Sequence, residues 1–318
     1  MRPRQAVRRI IAPFARAAPA LLALALLVAL SAPAVAAPAG LPAAVVWLTG
    51  QQQADGGFPG FSGASDPGAT TDAAIALGAA RQAGIEVDRP LAAALSYLAK
   101  NEQGYAAAGS GQQAKLVLAA VAAGLAPDAF GGLHPAASPA AGAPAGATPA
   151  VAIPGLYGDD LFDHALVVLA MAAGGEPIPP AAIDVLRQTQ QPGGGWATDG
   201  SADAAKSDSN TTALVVQALV AAGQGDEPMV GKALTALKGW QTPDGGFAFA
   251  TADPLVADAN STAFGVQAIV AVGQDPASTD WRDAAVALAR FQNPSGAFRY
   301  TDAEAADNLF ATLQAIPA

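Results

Sequence analysis

Gln190-Gln191-Pro192-Gly193-Gly194-Gly195-Trp196 returns as Gln241-Thr242-Pro243-Asp244-Gly245-Gly246-Phe247, and again as Gln292-Asn293-Pro294-Ser295-Gly296-Ala297-Phe298. An earlier copy runs from Gln52 through Gly56-Gly57 to Phe58. Each copy sets a glutamine six residues before an aromatic, with an amphipathic stretch ahead of it and a polar loop and apolar stretch behind. A degenerate copy ends at Gln103-Gly104-Tyr105, and a half copy starts at Gly155-Leu156-Tyr157. The aromatics at Phe58, Tyr105, Tyr157, Trp196, Phe247 and Phe298 are separated by 47, 52, 39, 51 and 51 residues, a period that suits one helical hairpin per unit.

The second helix of each unit repeats more closely still. Asp208-Ser209-Asn210-Thr211-Thr212-Ala213-Leu214-Val215-Val216-Gln217-Ala218-Leu219 is echoed by Asp258-Ala259-Asn260-Ser261-Thr262-Ala263-Phe264-Gly265-Val266-Gln267-Ala268-Ile269. Each opens on residues whose side-chain oxygens accept from the free N–H groups of a first helical turn. Each then stays apolar almost all round and ends near a glycine: Gly84, Gly124, Gly174, Gly223 or Gly273. A helix without a polar face has to be buried on both sides, whereas Pro180 to Gln190 and Pro228 to Gln241 mix charge with Leu and Val and read as half-wet. The expected fold is therefore all-α, an α6/α6 toroid of about six helical hairpins with an inner ring inside an outer one. The third outer helix is expected to be degenerate, because the Ala/Pro-rich insert at 131–154 spaces its prolines too closely for a stable helix.

The chain of 318 residues is 52% hydrophobic and 13% charged, with no cysteine, so a folded core must hold by packing without disulfides. Five of its 16 basic residues precede position 17; the remaining 11 face 26 acids, a balance of −15 that repels phosphate backbones and excludes nucleic acid as a partner. Residues 1–36 read as a signal peptide: a basic start, an apolar run from Ala17 to Leu30, and Ala34-Val35-Ala36 as the cleavage site. The domain expected after cleavage is 37–318, secreted or otherwise extracytoplasmic, with no stable membrane anchor.

The Gln-x-x-x-Gly-Gly-aromatic signature, over Leu41 to Ile316, resembles the repeat of squalene and hopene cyclases, protein prenyltransferase β subunits and the α6/α6 domain of cobalamin carriers. That resemblance implies the toroid, and implies cobalamin or a polyprenyl group as a possible ligand. It leaves function divided between two enzyme chemistries and binding. The Asp-x-Asp-Asp acid motif of the cyclases is absent, and aromatics near inner helices are few: Phe162, Phe264 and Phe310. The Asp, Cys and His zinc set of the prenyltransferases cannot form without cysteine, with only His134 and His164 in the chain, and no cofactor or metal site is expected. Asp159-Asp160-Leu161-Phe162-Asp163 matches a magnesium-binding string of another helical fold, and reads here as the cap of an inner helix.

These absences lean against an enzyme. The expectation is a non-catalytic module that binds a small apolar or amphipathic ligand, or an extracellular protein partner, at the barrel mouth. The mouth residues would be Asp163, His164, Asp208, Asn210, Asp258, Asn260, Asp307 and Asn308, with Asp72 near another inner-helix start. The alternative is a terpene-cyclase-like or carbohydrate-active enzyme using the clustered aspartates. The signature glutamines are expected to be structural, while Gln217, Gln267 and Gln314 fall within buried helices and need partners there or in a central cavity.

Overall fold

Five side-chain caps start the inner helices. In the computed structural model, Asp66 accepts from Ala69 N (2.8 Å), Asp160 from Asp163 N (2.8 Å), Asp208 from Thr211 N (2.7 Å), Asp258 from Ser261 N (2.8 Å) and Asn308 from Ala311 N (2.9 Å). The structure describes residues 40–133, 136 and 153–318; the signal segment 1–36, His134 and most of the 131–154 insert lie outside them. The helices are α1 (Leu41–Gly50), α2 (Pro67–Gln82), α3 (Asp88–Ala106), α4 (Ser110–Ala122), α5 (Leu161–Gly174) and α6 (Pro180–Thr189). They continue as α7 (Ser209–Ala221), α8 (Pro228–Gly239), α9 (Ala259–Ala271), α10 (Ala284–Ala289) and α11 (Leu309–Ala315). The described strands are two residues long, so the fold is all-α as the repeat predicts.

Four residues beyond each cap, a side chain ties the signature aromatic to its helix. Thr70, Thr212, Thr262 and Thr312 accept from the N–H of Phe58 (2.8 Å), Trp196 (3.0 Å), Phe247 (3.0 Å) and Phe298 (2.8 Å). In α5 the same register position is His164, whose Nδ1 accepts from Tyr157 N at 2.9 Å. The degenerate second copy has lost this device, since Gln103-Gly104-Tyr105 lies inside α3 rather than in a turn and α4 follows Gly109 with no side-chain cap. At the far ends Gly84, Gly124, Gly223 and Gly273 adopt positive φ; in α5 the left-handed stop falls on Gly175, one residue after the expected Gly174.

Contacts among the apolar helices run α2 to α4, α5, α7, α9 and α11, and return from α11 to α2. Against them pack α3, α8, α10 and α1. The signature glutamines bind hairpin to hairpin: each Nε2 donates to a carbonyl of its own turn and to one in the following unit. Gln52 bonds Gly56 O and Pro90 O, Gln190 bonds Gly194 O and Met229 O, and Gln241 bonds Gly245 O and Trp281 O. Gln292 bonds Gly296 O and reaches back to Gly40 O at 2.8 Å, joining the last unit to the first. The glycine at the tip of each turn is enforced by that approach: Gly194 has φ +92, and a Cβ there would fall 2.4 Å from Lys232 O.

Gln241 is only 4% exposed, so Gln241→Ala strands two buried carbonyls and is expected to lower stability by about 2–3 kcal/mol in urea unfolding. A loss below half a kcal/mol would show that these bonds decorate the turn rather than hold it. Among the described residues no helix is long and apolar enough to cross a membrane.

Candidate functional site: an axial cavity

Counting from the N-cap position places corresponding residues of the six apolar helices at one level. The sixth residues are Asp72, Lys115, Leu166, Leu214, Phe264 and Gln314; the ninth are Ile75, Leu118, Leu169, Gln217, Gln267 and Pro317. Spaced three apart, the two sets share a helix face. All twelve line one cavity of about 150 Å³, together with Phe162 and Leu313. The two sets are therefore what these helices turn toward the cavity, which explains why helices so apolar carry isolated polar residues at these positions.

The lining is mostly hydrocarbon. Leu166, Leu214, Leu118 and Leu169 form an apolar wall, and Phe162 meets Phe264 edge to face with centroids 5.9 Å apart. In the same lining Lys115 Nζ pairs with Asp72 at 2.7 Å, the two side chains keeping 27% and 16% of their exposure because they border the cavity. Burial pulls the Lys115 ammonium down, but the Asp72 and Tyr105 charges outweigh it and leave the group above its ordinary value. Burial pushes the neighbouring Tyr105 phenol up to about 12, against the opposing pull of Lys115. Gln267 Nε2 donates to Gln314 O at 3.2 Å, whereas Gln217 Nε2 is buried without a partner.

Asp163 lies one turn into α5, over α4: a Cβ on Gly111 would meet its Oδ1 at 2.0 Å, and one on Gly158 its Oδ2 at 3.1 Å. Burial pushes the Asp163 carboxyl up and the charge of Asp160 adds to this, while a backbone hydrogen bond from Asp159 and the charge of Lys115 draw it back. Asp160, its neighbour in the Asp-Asp-x-x-Asp string, is the helix cap. No group of three or more His, Cys, Asp or Glu suited to a metal occurs among the described residues.

The other mouth candidates divide by structure. Asp208 and Asp258 are buried caps; burial raises both carboxyls, while bonds from Thr211 and Thr198 or from Ser261 pull them back. Asn210 and Asn260 sit two residues after the caps of α7 and α9, in register with Phe162 on α5 and Phe310 on α11, and Asn260 Oδ1 is buried without a partner. Asn308 caps α11, and Asp307 is exposed, accepting from Asn293 Nδ2 and Ser295 Oγ at 2.8 Å each. Asp72 is not near a cap but a turn and a half inside α2.

His164 is not at the mouth. Fully buried, it is held by Tyr157 N on Nδ1 and by Ala182 O at 2.9 Å from Nε2, with the Tyr157 ring stacked 5.2 Å away. Burial lowers its pKa to about 4, so it is neutral in the fold while an unfolded histidine titrates near 6.5. Its contribution is fully present above pH 6.5 and is lost as pH falls through about 4, by about 3 kcal/mol. The raised carboxyls of Asp160, Asp163, Asp208 and Asp258 act with the opposite sign, gaining stability as they protonate. The expected result is differential. His164→Thr, the residue used at this position in α2, α7, α9 and α11, should lose stability at pH 7 but close the gap to wild type near pH 4; a pH-independent gap would contradict it.

The Asp72 and Lys115 pair escaped the sequence reading, although a lysine within the apolar run Ala114 to Ala123 was its signal.

No family model matches the chain, and no curated protein sequence matches it. Solved structures do match in fold. A type II terpene cyclase, MstE from Scytonema, in a variant complexed with its product merosterolic acid A, superposes with a TM-score of 0.60 at 18% identity over 88% of this chain and 94% of that one. Another variant of that cyclase, holding its substrate geranylgeranyl dihydroxybenzoate, gives 0.60 at 19% over 88% and 95%. A protein from Actinoplanes gives 0.61 at 19% over 88% and 97%.

These matches correct the expectation of a non-catalytic binding module, because a solved protein of this fold is an enzyme captured with its substrate and with its product. The absence of Asp-x-Asp-Asp does not decide against catalysis, because a string tests one way of presenting an acid and does not report a carboxyl raised by burial. The chain shares the fold of type II terpene cyclases, in agreement with the resemblance carried by its repeat.

Proposed function

We propose that the protein is a terpene-cyclase-like enzyme that takes a prenyl chain into the axial cavity. The reading treats the cyclic helix contacts as an α6/α6 toroid whose axis is that cavity. The observation that carries it is the pair of lining rings, hydrocarbon over most of their circumference and closed by Phe162 and Phe264. Aromatic faces stabilise a developing carbocation without offering it a nucleophile. Of the two ligands suggested by the repeat, the polyprenyl group fits this lining, and the substrate-bound cyclase supports it.

Asp163 is the proton donor in this proposal. Its carboxyl is raised by burial and by the charge of Asp160, is not the cap of its helix, and lies near Lys115, which lines the cavity, while Asp163 itself stands just behind the lining residues. Asp72 is engaged by the Lys115 ammonium, and Asp208 and Asp258 hold helix amides. In the step, the carboxyl O–H adds its proton to a terminal alkene carbon whose π pair forms the new C–H bond. The cation then closes onto the next alkene, and a final proton loss restores neutrality, so the product is an isomer of the substrate.

The test is incubation of the purified protein with geranylgeranyl dihydroxybenzoate and with shorter prenylated phenols. The expected product has unchanged mass and fewer alkene protons by NMR; unchanged starting material across the series would refute the proposal.

A further inference from the structure

Three glutamines line the cavity, from α7, α9 and α11. Gln267 donates to Gln314 O, while Gln217, 5% exposed, lines the same space with an amide whose Nε2 is buried and has no acceptor. A buried donor left without a partner is disfavoured by the desolvation of its N–H, so a ligand that brings an acceptor there gains a bond that the empty protein does not make. Around Gln217 stand Leu214, Leu169 and Phe264, which offer nothing polar. The lining's one cation, Lys115, is matched by Asp72, so the lining has no spare positive charge for an anionic group.

We propose that Gln217 is the specificity-determining contact of the cavity, its Nε2 donating to an uncharged oxygen, a phenol or a carbonyl, on the head of the prenyl substrate. The inference rests on the cavity being a prenyl site and names the class of substrate it selects: prenylated phenols or ketones in preference to pure hydrocarbons or diphosphates. In a cavity whose walls are mostly hydrocarbon and whose lysine is already paired, this unpaired donor fixes which end of the chain lies at the ninth-residue ring. That in turn decides which alkene is presented to the acid.

Binding is measured by calorimetry with three probes sharing one chain: farnesyl hydroquinone, farnesylbenzene and farnesyl diphosphate. Wild-type protein is expected to bind the hydroquinone about tenfold more tightly than the hydrocarbon, the effect of one hydrogen bond in a dry site, and to bind the diphosphate more weakly than either. Gln217→Met and Gln217→Leu are expected to erase the preference by weakening the hydroquinone alone, with melting temperature unchanged or raised because an unpaired amide has been removed. Equal binding of hydroquinone and hydrocarbon by the wild type, a preference that survives both substitutions, or tightest binding of the diphosphate would overturn the assignment while leaving the prenyl site standing. Binding of none of the three would overturn both.

Discussion

Asp163→Asn is expected to lower turnover of a cyclised prenyl substrate by at least about a hundredfold, with little change in substrate affinity or melting temperature. The amide keeps the shape of the carboxyl that fills the space above Gly111 and Gly158, so packing is preserved while the transferable proton is lost. The raised carboxyl adds a pH signature. Activity that depends on protonated Asp163 falls as pH rises through a value above the ordinary aspartate range, because burial and the charge of Asp160 favour the neutral form. If the variant kept wild-type turnover, the acid would have to be sought elsewhere. A variant that merely unfolded would show Asp163 to be a packing residue, a distinction that the melting curve makes directly.

Lys115→Leu carries the second large effect. It leaves the Asp72 carboxylate facing a mostly hydrocarbon cavity without its ammonium, and removing one member of such a pair is expected to cost about 3 kcal/mol. That is the lower end of the range for buried pairs, since the cavity can admit some water to the orphaned group. Replacing both residues, Asp72→Leu with Lys115→Leu, removes the charge as well as its partner and is expected to recover most of the loss. Urea unfolding of the two variants separates these outcomes. Equal destabilisation of the single and double variants would mean that the pair acts through shape rather than charge.

The repeat made much of the architecture legible before any coordinates. Gln52, Gln190, Gln241 and Gln292 sit where a glutamine at that spacing has only carbonyls to bond, and Asp208 and Asp258 announce their helices because a cap is a local, side-chain-to-backbone device. Local rules failed where one unit departs from its siblings. Gln103-Gly104-Tyr105 kept the letters of the turn, but the chain there continues as helix α3. His164 reads as a mouth residue because it starts an inner helix, yet its position four residues after Asp160 is the threonine position of α2, α7, α9 and α11, and its two nitrogens are spent on Tyr157 and Ala182. The cavity was harder to read, because a ring is made of residues some 40 to 50 apart in sequence. Only alignment on the caps brings Asp72 beside Lys115, and only closure of α11 on α2 brings Gln314 near them.

Function was read least well, since it was judged from strings that were missing. What the strings could not report is environment: the same aspartate is a cap when its oxygen meets a helix amide, as in Asp160, and an acid when burial holds its proton, as proposed for Asp163.

The most direct measurement is a crystal structure of the Asp163→Asn variant soaked with geranylgeranyl dihydroxybenzoate, in which the proton donor is gone and substrate should persist. The account predicts prenyl density along the axis, between Phe162, Phe264 and the leucines at 166, 169 and 214, with an alkene within contact distance of the residue 163 side chain. An axis filled by solvent, or a ligand bound on the outer surface with the cavity empty, would contradict it.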